Sequence, residues 1–289
     1  MGYRSVFAPG LFEGKTVIVT GGGSGIGRCT AHELAHLGAN VVVVGRTADK
    51  LDAVVAEIAE DGGKASAIAC DIRDEAQVVS VIDETLQRHG AIDGLVNNAG
   101  GQYRAELKSI STKGFEAVVR NNLTGGFIFM RETYTRWMEA NGGAIVNIIA
   151  DMWNGWPEMG HSGASRGGML TLSETAACEW AHSGVRVNTV APGGIASSGF
   201  DTYPEEIAPR LRAYAEKVPL PRYGTESEIS AAIVYLLSPA AAYVTGSCVR
   251  VDGGAPNLRQ TWTQTYAPTN IPEFNGFHRA VKPKVLRQP

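Results

Sequence analysis

Ser162 and Arg166 stand four residues apart in the stretch EMGHSGASRGGML, residues 158 to 170. On a helix that spacing puts both side chains on one face. A hydroxyl beside a guanidinium can donate hydrogen bonds to a developing anion and offset its charge. The pair is a poor proton relay, because the guanidinium holds its proton throughout the working pH range. Each residue also has a plainer role: Ser162 as a helix N-cap, Arg166 as the partner of a surface acid. His161 is an acid, a base or a structural ring ahead of the helix. Tyr103, after the turn NNAGG, is a reserve proton donor. Asp151, Met152, Trp153 and Trp156 are expected to line an apolar mouth or to pack in the core.

A second cluster carries binding chemistry. Thr20 to Gly27, TGGGSGIG, follows a β-branched run and opens a helical period, with Gly21, Gly25 and Gly27 in the spacing G-x-x-x-G-x-G. Glycines there permit the turn and close approach, and the free amides of a helix N-terminus, here around Ser24 and Ile26, face a pyrophosphate. The expectation is a dinucleotide. The second strand ends NVVVVGRT, with Gly45 and Arg46 and no acid until Asp49. A carboxylate at that strand end suits a ribose 2'-hydroxyl and an arginine suits a 2'-phosphate, so NADP(H) is expected in preference to NAD(H). The alternatives for Arg46 are stacking on the adenine or pointing into solvent.

The elements that must hold these residues read as short β-branched runs alternating with segments of helical period. KTVIVT, NVVVVG, KASAIACD, IDGLVNNAG, AIVNIIA, VRVNTVAPG and SCVRVDGG are seven strands. The intervening helices include a long one ending near Asn141, one from about Ser162 to His182, and two near 204–217 and 225–238. Alternation of this kind predicts βαβ units and a parallel sheet, and continuous apolar runs predict strands covered on both faces. The fold class is α/β, a single Rossmann-type doubly wound domain over residues 1–254. From Ala255 the period is lost and aromatics are scattered among prolines. Residues 255–289 are read as an extension that docks Trp262, Tyr266, Phe274 and Phe277 on the body or a neighbouring subunit, or else as a partly disordered tail.

Composition narrows the partners. A formal charge of -3 excludes a general nucleic-acid surface. Four cysteines lie far apart without a C-x-x-C pair, so neither a disulfide framework nor a zinc cluster is implied, and buried thiols in a reducing compartment are expected. The apolar runs are too short to span a bilayer. No metal, membrane or nucleic acid is expected, the partner is a small molecule, and the location is cytoplasmic.

Taken with TGGGSGIG, the motifs CDIRD (70–74), NNAG (97–100), NNLTGG (121–126), IVNI (145–148), RVNTVAPGG (186–194) and VTGSCVRVDGG resemble the short-chain dehydrogenase/reductase family over about residues 12 to 254. The resemblance implies Asp71 and Ile72 beside the adenine, Asn98 and Gly100 beside the adjacent ribose, and Pro192, Gly193 and Ile195 beside the nicotinamide. It also implies a homodimer or homotetramer built on the helices around 104–140 and 162–183. Of the family's catalytic Asn, Ser, Tyr and Lys, Asn122 matches the first; it also braces a helix bend. Ile149 or Ala150 falls at the serine, Ser162 at the tyrosine and Arg166 at the lysine. APGL, GGQY, NLTGGF, GGAIVNII and HSGASR more narrowly resemble the peroxisomal trans-2-enoyl-CoA reductase branch; this chain ends RQP rather than in a peroxisomal address.

Those departures bear on the reaction. Ketone reduction leaves an alkoxide to be protonated at oxygen, for which a phenol is well suited and a serine is not. Reduction of an α,β-unsaturated thioester develops charge on an enolate oxygen, which needs donors, and takes its proton at carbon. The expected function is therefore NADPH-dependent reduction of the double bond of an enoyl-CoA or similar acyl thioester. The alternatives are a dehydrogenase or reductase of a branched or terpenoid alcohol or aldehyde, and a catalytically silent NADP-binding subunit or sensor.

Overall fold

The β-branched runs form seven strands: β1 Thr16–Thr20, β2 Asn40–Gly45, β3 Lys64–Ala69, β4 Gly94–Asn97, β5 Gly143–Ile148, β6 Val185–Pro192 and β7 Cys248–Val251. The computed structural model describes residues 2–202, 205–214, 217–258 and 271–287. All pairings are parallel and the sheet order is β3-β2-β1-β4-β5-β6-β7. The order reverses at β1, so the crevice at the carboxyl ends of β1 and β4 is the place where such sheets bind ligands.

Strand alternation divides the core. Val17, Val19, Val41 and Val43 face one layer, with Leu34, Leu51, Ile58, Ile229 and Ile233. Ile18, Val42, Val44 and Leu95 face the other, with Val78, Ile82, Phe129 and Met169. The first layer is covered by α1 Gly25–His36, α2 Ala48–Glu60 and α9 Glu226–Leu237, the second by α3 Glu75–His89, α5 Gly125–Thr133 and α7 Gly160–Trp180. The long helix is continuous from α4 Thr112–Val119 through α5 to α6 Glu139–Asn141, interrupted by π turns at Arg120–Thr124 and Tyr134–Met138. A short α8, Ala208–Tyr214, precedes α9. Among the described residues no helix is long and apolar enough to cross a membrane.

Three local expectations are corrected. The helix holding Ser162 starts at Gly160, with Met159 at its cap, so Ser162 is inside the first turn and caps nothing. Cys178 is exposed on α7 rather than buried, because it lies on the face turned away from the sheet; Cys29 and Cys70 are buried. The helix expected near 204–217 is broken into a 3-10 turn at Glu205–Ile207 and α8.

Residues 271–287 lie on the body of their own chain. Phe277 is 2% exposed. Its ring packs on Tyr3 and on His32 of α1, with the Arg28 guanidinium 5.0 Å above it. Its amide donates to Ser227 Oγ, and Thr225 Oγ1 donates to the Phe274 carbonyl. Arg279 is paired with Glu60 and Asp61 at the end of α2. Further on, the Lys284 amide donates to Asp201, and Arg212 of α8 donates to the Val285 carbonyl. Trp262 and Tyr266 lie outside the described residues.

Candidate active site

The glycine turn is shaped by what it excludes. A Cβ on Gly27 would meet the Gly21 carbonyl oxygen at 2.4 Å, so only glycine lets α1 close on the end of β1. Gly25 has φ +57, and a Cβ there would meet nothing nearer than 3.8 Å. Ser24 is the N-cap, exposed and in extended backbone, and its side chain caps no amide. The first-turn amides around Ile26 therefore have no side-chain acceptor, and with the open space over Gly25 they fit a diphosphate. Asn98 does not face outward: its amide donates to the carbonyls of Thr20 and Gly21, holding the turn.

At the end of β2, Arg46 is exposed and paired with no carboxylate among the described residues. Asp71 nearby is held at about 2, chiefly by the hydrogen bonds of Arg73, which grips both carboxylate oxygens. That leaves the Arg46 guanidinium free. Ile72 is buried under Gly125 in the core, so its contribution to an adenine pocket is through the backbone or its rim. Pro192 ends β6, Gly193 passes so close to Asp252 that a Cβ would lie 2.6 Å from its Cα, and Ile195 is buried in a bridge to Gly224.

Arg166 sits across this crevice from the glycine turn. It is 8% exposed, its Nη1 donates to the Ile148 carbonyl at 2.7 Å, and no carboxylate among the described residues pairs with it. Burial lowers its pKa to about 10, so it is still a cation at neutrality. A Cβ on Gly100 would lie 2.4 Å from Arg166 Nη2 and 3.0 Å from Asn122 Oδ1, which brings the two together over that glycine. Asn122 lies in the first π turn, and its Oδ1 accepts from the Gly101 amide.

Three buried donors here have no partner among the described residues: Asn122 Nδ2, Arg166 Nε and His161 Nε2. His161 is wholly buried, and its Nδ1 accepts from the Ser162 amide at 2.9 Å. While that bond holds, the ring proton is on Nε2, so the imidazole is a donor rather than a base. Ser162 is wholly buried too, and its hydroxyl donates to Gln102 Oε1 at 2.7 Å. Gln102 is the residue that sequence reasoning missed. It was visible only as part of GGQY, and its partner is 60 residues away.

Tyr103 lies edge-on to His161, 4.6 Å between centroids, with its hydroxyl against Gly114 on α4. Asp151, Met152, Trp153 and Trp156 are half-buried around the next turn of chain. Burial, then Asp252, raises the Asp151 pKa, while Arg250 stacks on Trp153. Glu158 ties Arg104 to Arg210 of α8 and so fastens the loops that frame the opening.

The other residue missed is Glu226, at the start of α9. Its carboxylate approaches the space over Gly25 to 3.8 Å and has no hydrogen bond or ion pair among the described residues. Burial pushes its pKa up to about 7, against a small opposing pull from Arg28.

Residues 21–256 match the family model described as enoyl-(acyl carrier protein) reductase. The chain belongs to the short-chain dehydrogenase/reductase family. Short-chain dehydrogenase/reductases are oxidoreductases that bind a nicotinamide cofactor, and the crevice described above has the cradle for one. Among the relatives of this family, the peroxisomal 2,4-dienoyl-CoA reductase of Danio rerio is 34% identical over 88% of this chain and 85% of its own. The solved structure of a citronellol catabolism dehydrogenase (AtuB) from Pseudomonas aeruginosa PAO1 is 56% identical, with a TM-score of 0.80, covering 88% of this chain and all of that one. An actinorhodin polyketide ketoreductase with NADPH is 28% identical with a TM-score of 0.81, over 87% of this chain and all of that one.

Arg46 gives a direct expectation for the cofactor. Arg46→Ala should raise the KM for NADPH about 10- to 100-fold and leave that for NADH within about threefold, since only one carries the 2'-phosphate. Equal effects on both cofactors would remove Arg46 from the phosphate site.

Proposed function

We propose that the protein reduces the α,β double bond of an enoyl thioester, such as an enoyl-CoA, with NADPH. The observation that carries this reading is a buried Arg166 that has no ion pair among the described residues and is flanked by unpartnered donors. A site of that kind favours a developing anion, and the phenol closest to it, Tyr103, has its hydroxyl turned to Gly114 on α4.

A nicotinamide held in this crevice would supply a hydride, which enoyl reduction requires at the β-carbon of the substrate. As charge moves to the thioester oxygen, Asn122 Nδ2 and the Ser162 hydroxyl donate to it and Arg166 offsets it electrostatically. Ser162 must first exchange its bond with Gln102 for one with the substrate. The α-carbon then takes a proton from water, and the enolate collapses to the saturated thioester. Arg46 holds the 2'-phosphate, and the amides at Gly25 to Gly27 hold the pyrophosphate. The half-buried Met152, Trp153 and Trp156 accommodate the acyl chain. Phe115 and Phe127, each 37% exposed on the long helix, support a homo-oligomer through that face.

The 56% likeness to a citronellol catabolism dehydrogenase favours a second reading, redox chemistry on a branched terpenoid alcohol or aldehyde. Purified protein with NADPH and trans-2-decenoyl-CoA, beside NADP with citronellol, separates them by nicotinamide absorbance. Turnover of the enoyl thioester alone is the expected result; turnover of citronellol alone reverses the reading, and cofactor binding without turnover of either leaves a silent binding subunit. Ser162→Ala should cost about 10-fold in kcat with KM little changed, and Gln102→Ala, which frees the hydroxyl, should not lower kcat. A Ser162→Ala enzyme with unchanged kcat would refute the donor role.

A further inference from the structure

The tail and the segment after β6 line an open cleft of about 650 Å³ that the reaction chemistry does not use. Its inner wall is Ala196, Gly224 and Thr225, immediately beyond the Pro192–Ile195 loop, and its outer wall is the tail from Glu273 to Arg287. Four cations line it, and they are not alike. Arg222 is engaged bidentately by Glu228 and also donates to the Pro272 carbonyl. Arg212 and Arg287 are each tethered only through Nε to a main-chain carbonyl, of Val285 and of Lys282. Their terminal nitrogens have no carboxylate partner among the described residues. Lys282 likewise carries no ion pair, and of the lining acids Glu273 is exposed while Glu226 is the buried carboxyl below Gly25.

Tethering a guanidinium through Nε fixes the plane of the fork and leaves the other two nitrogens to take a phosphate bidentately. Two such forks and an ammonium around one cleft fit a group carrying more than one phosphate. Val281, Leu286 and Pro221 supply an apolar wall suited to the face of a base. The cofactor's own adenosine end is accounted for elsewhere, at the ends of β2 and β3 where Arg46 and Asp71 lie. In the sheet those strands are on the far side of β1 from β6.

We propose that this cleft holds the phosphorylated adenosine head of a coenzyme A thioester, gripped by Arg212, Lys282 and Arg287, so that the C-terminal extension selects a nucleotide-linked acyl group. The inference rests on the thioester reading of the active site and supplies its carrier. The acyl end lies at Ser162 and Asn122, and the pantetheine arm leaves past the Ser198–Thr202 turn, which the Lys284 amide fastens to the tail through Asp201.

The test uses adenosine 3',5'-bisphosphate, titrated by calorimetry into the full chain with saturating NADPH present, so that the cofactor's adenosine site is filled. Binding is expected, and Lys282→Glu with Arg287→Glu should weaken it at least 10-fold while thermal stability and NADPH affinity stay as in the parent. Displacement of the bisphosphate by NADPH, or equal binding by the double variant, overturns the proposal. In turnover, the parent should show a KM for trans-2-decenoyl-CoA at least 10-fold below that for the N-acetylcysteamine thioester, and the double variant should bring the two within about twofold. A parent that handles both thioesters alike overturns the coenzyme assignment while leaving enoyl reduction standing. Bisphosphate binding lost in the variant, without turnover of either thioester, keeps the head-group site and removes the reductase reading.

Discussion

Arg166→Met is expected to leave the protein at least as stable and nearly inactive. The guanidinium is enclosed, bonded to one carbonyl oxygen and faced by no acid among the described residues, so the folded state carries much of the cost of removing a charge from water. An apolar side chain of similar length removes that cost. Replacing buried charges by apolar groups gains about 1–4 kcal/mol in comparable cases, from which the carbonyl left without its donor takes back about 1. The net gain of about 0–3 kcal/mol corresponds to a Tm unchanged or higher by up to about 8 °C for a chain of this size. The same substitution should lower kcat/KM about 10²- to 10³-fold, because the charge opposite the developing oxyanion is gone. Arg166→Lys restores the charge without the fork and should fall between. A lower Tm in Arg166→Met would mean that the arginine is a structural brace, and the anion-stabilising role would lose its main support.

Glu226→Gln is expected to raise stability at alkaline pH and to do little in acid. The carboxyl is 9% exposed and its pKa is pushed by burial from 4.5 to about 7. Between those values the folded chain holds a proton that the unfolded chain has released, so stability falls as pH rises through that window. Below it both states are protonated and nothing is lost. Above about 7 the full cost of an ionised buried carboxylate applies, up to about 3 kcal/mol for a shift of this size. Thermal melts of parent and variant should nearly coincide at pH 4.5 and separate steadily up to pH 8.5, the variant melting higher. Cys29 and Glu33 nearby also have raised pKa values, so it is the difference between parent and variant that isolates Glu226. Melting curves that stay parallel at every pH would show that Glu226 is not the titrating group.

The sheet and the glycine cradle were legible in the sequence because their causes are local. A β-branched run alternating its faces predicts Val17 and Val19 on one layer and Ile18 on the other, as found. Gly25 and Gly27 are required by the turn itself. Ser162 and Arg166 were legible as a pair because a helix fixes the spacing, although the helix start was misplaced: Gly160 and His161 carry no strong start signal. What was not legible depends on contacts between distant segments. Nothing in GGQY says that Gln102 will hold the hydroxyl of Ser162. The helix read near 225–238 places Glu226 at the start of α9, where Thr225 and Glu228 form a capping box, but its burial under Gly25 is set by the packing of α1 on α9. Arg212 and Arg287 are 75 positions apart by their numbering and read singly as surface charges.

The placement of Phe277 has a consequence for the order in which the chain is made. α1 is made before the tail, and until Phe277 follows, the groove formed by Tyr3, His32 and Arg28 is open. Its occupant is synthesised some 240 residues later, after the whole sheet. Through the intervening time the nascent dinucleotide-binding half carries an uncovered apolar strip beside its glycine turn. A copy cut short before Phe277 keeps all seven strands yet leaves the first helix without that cover.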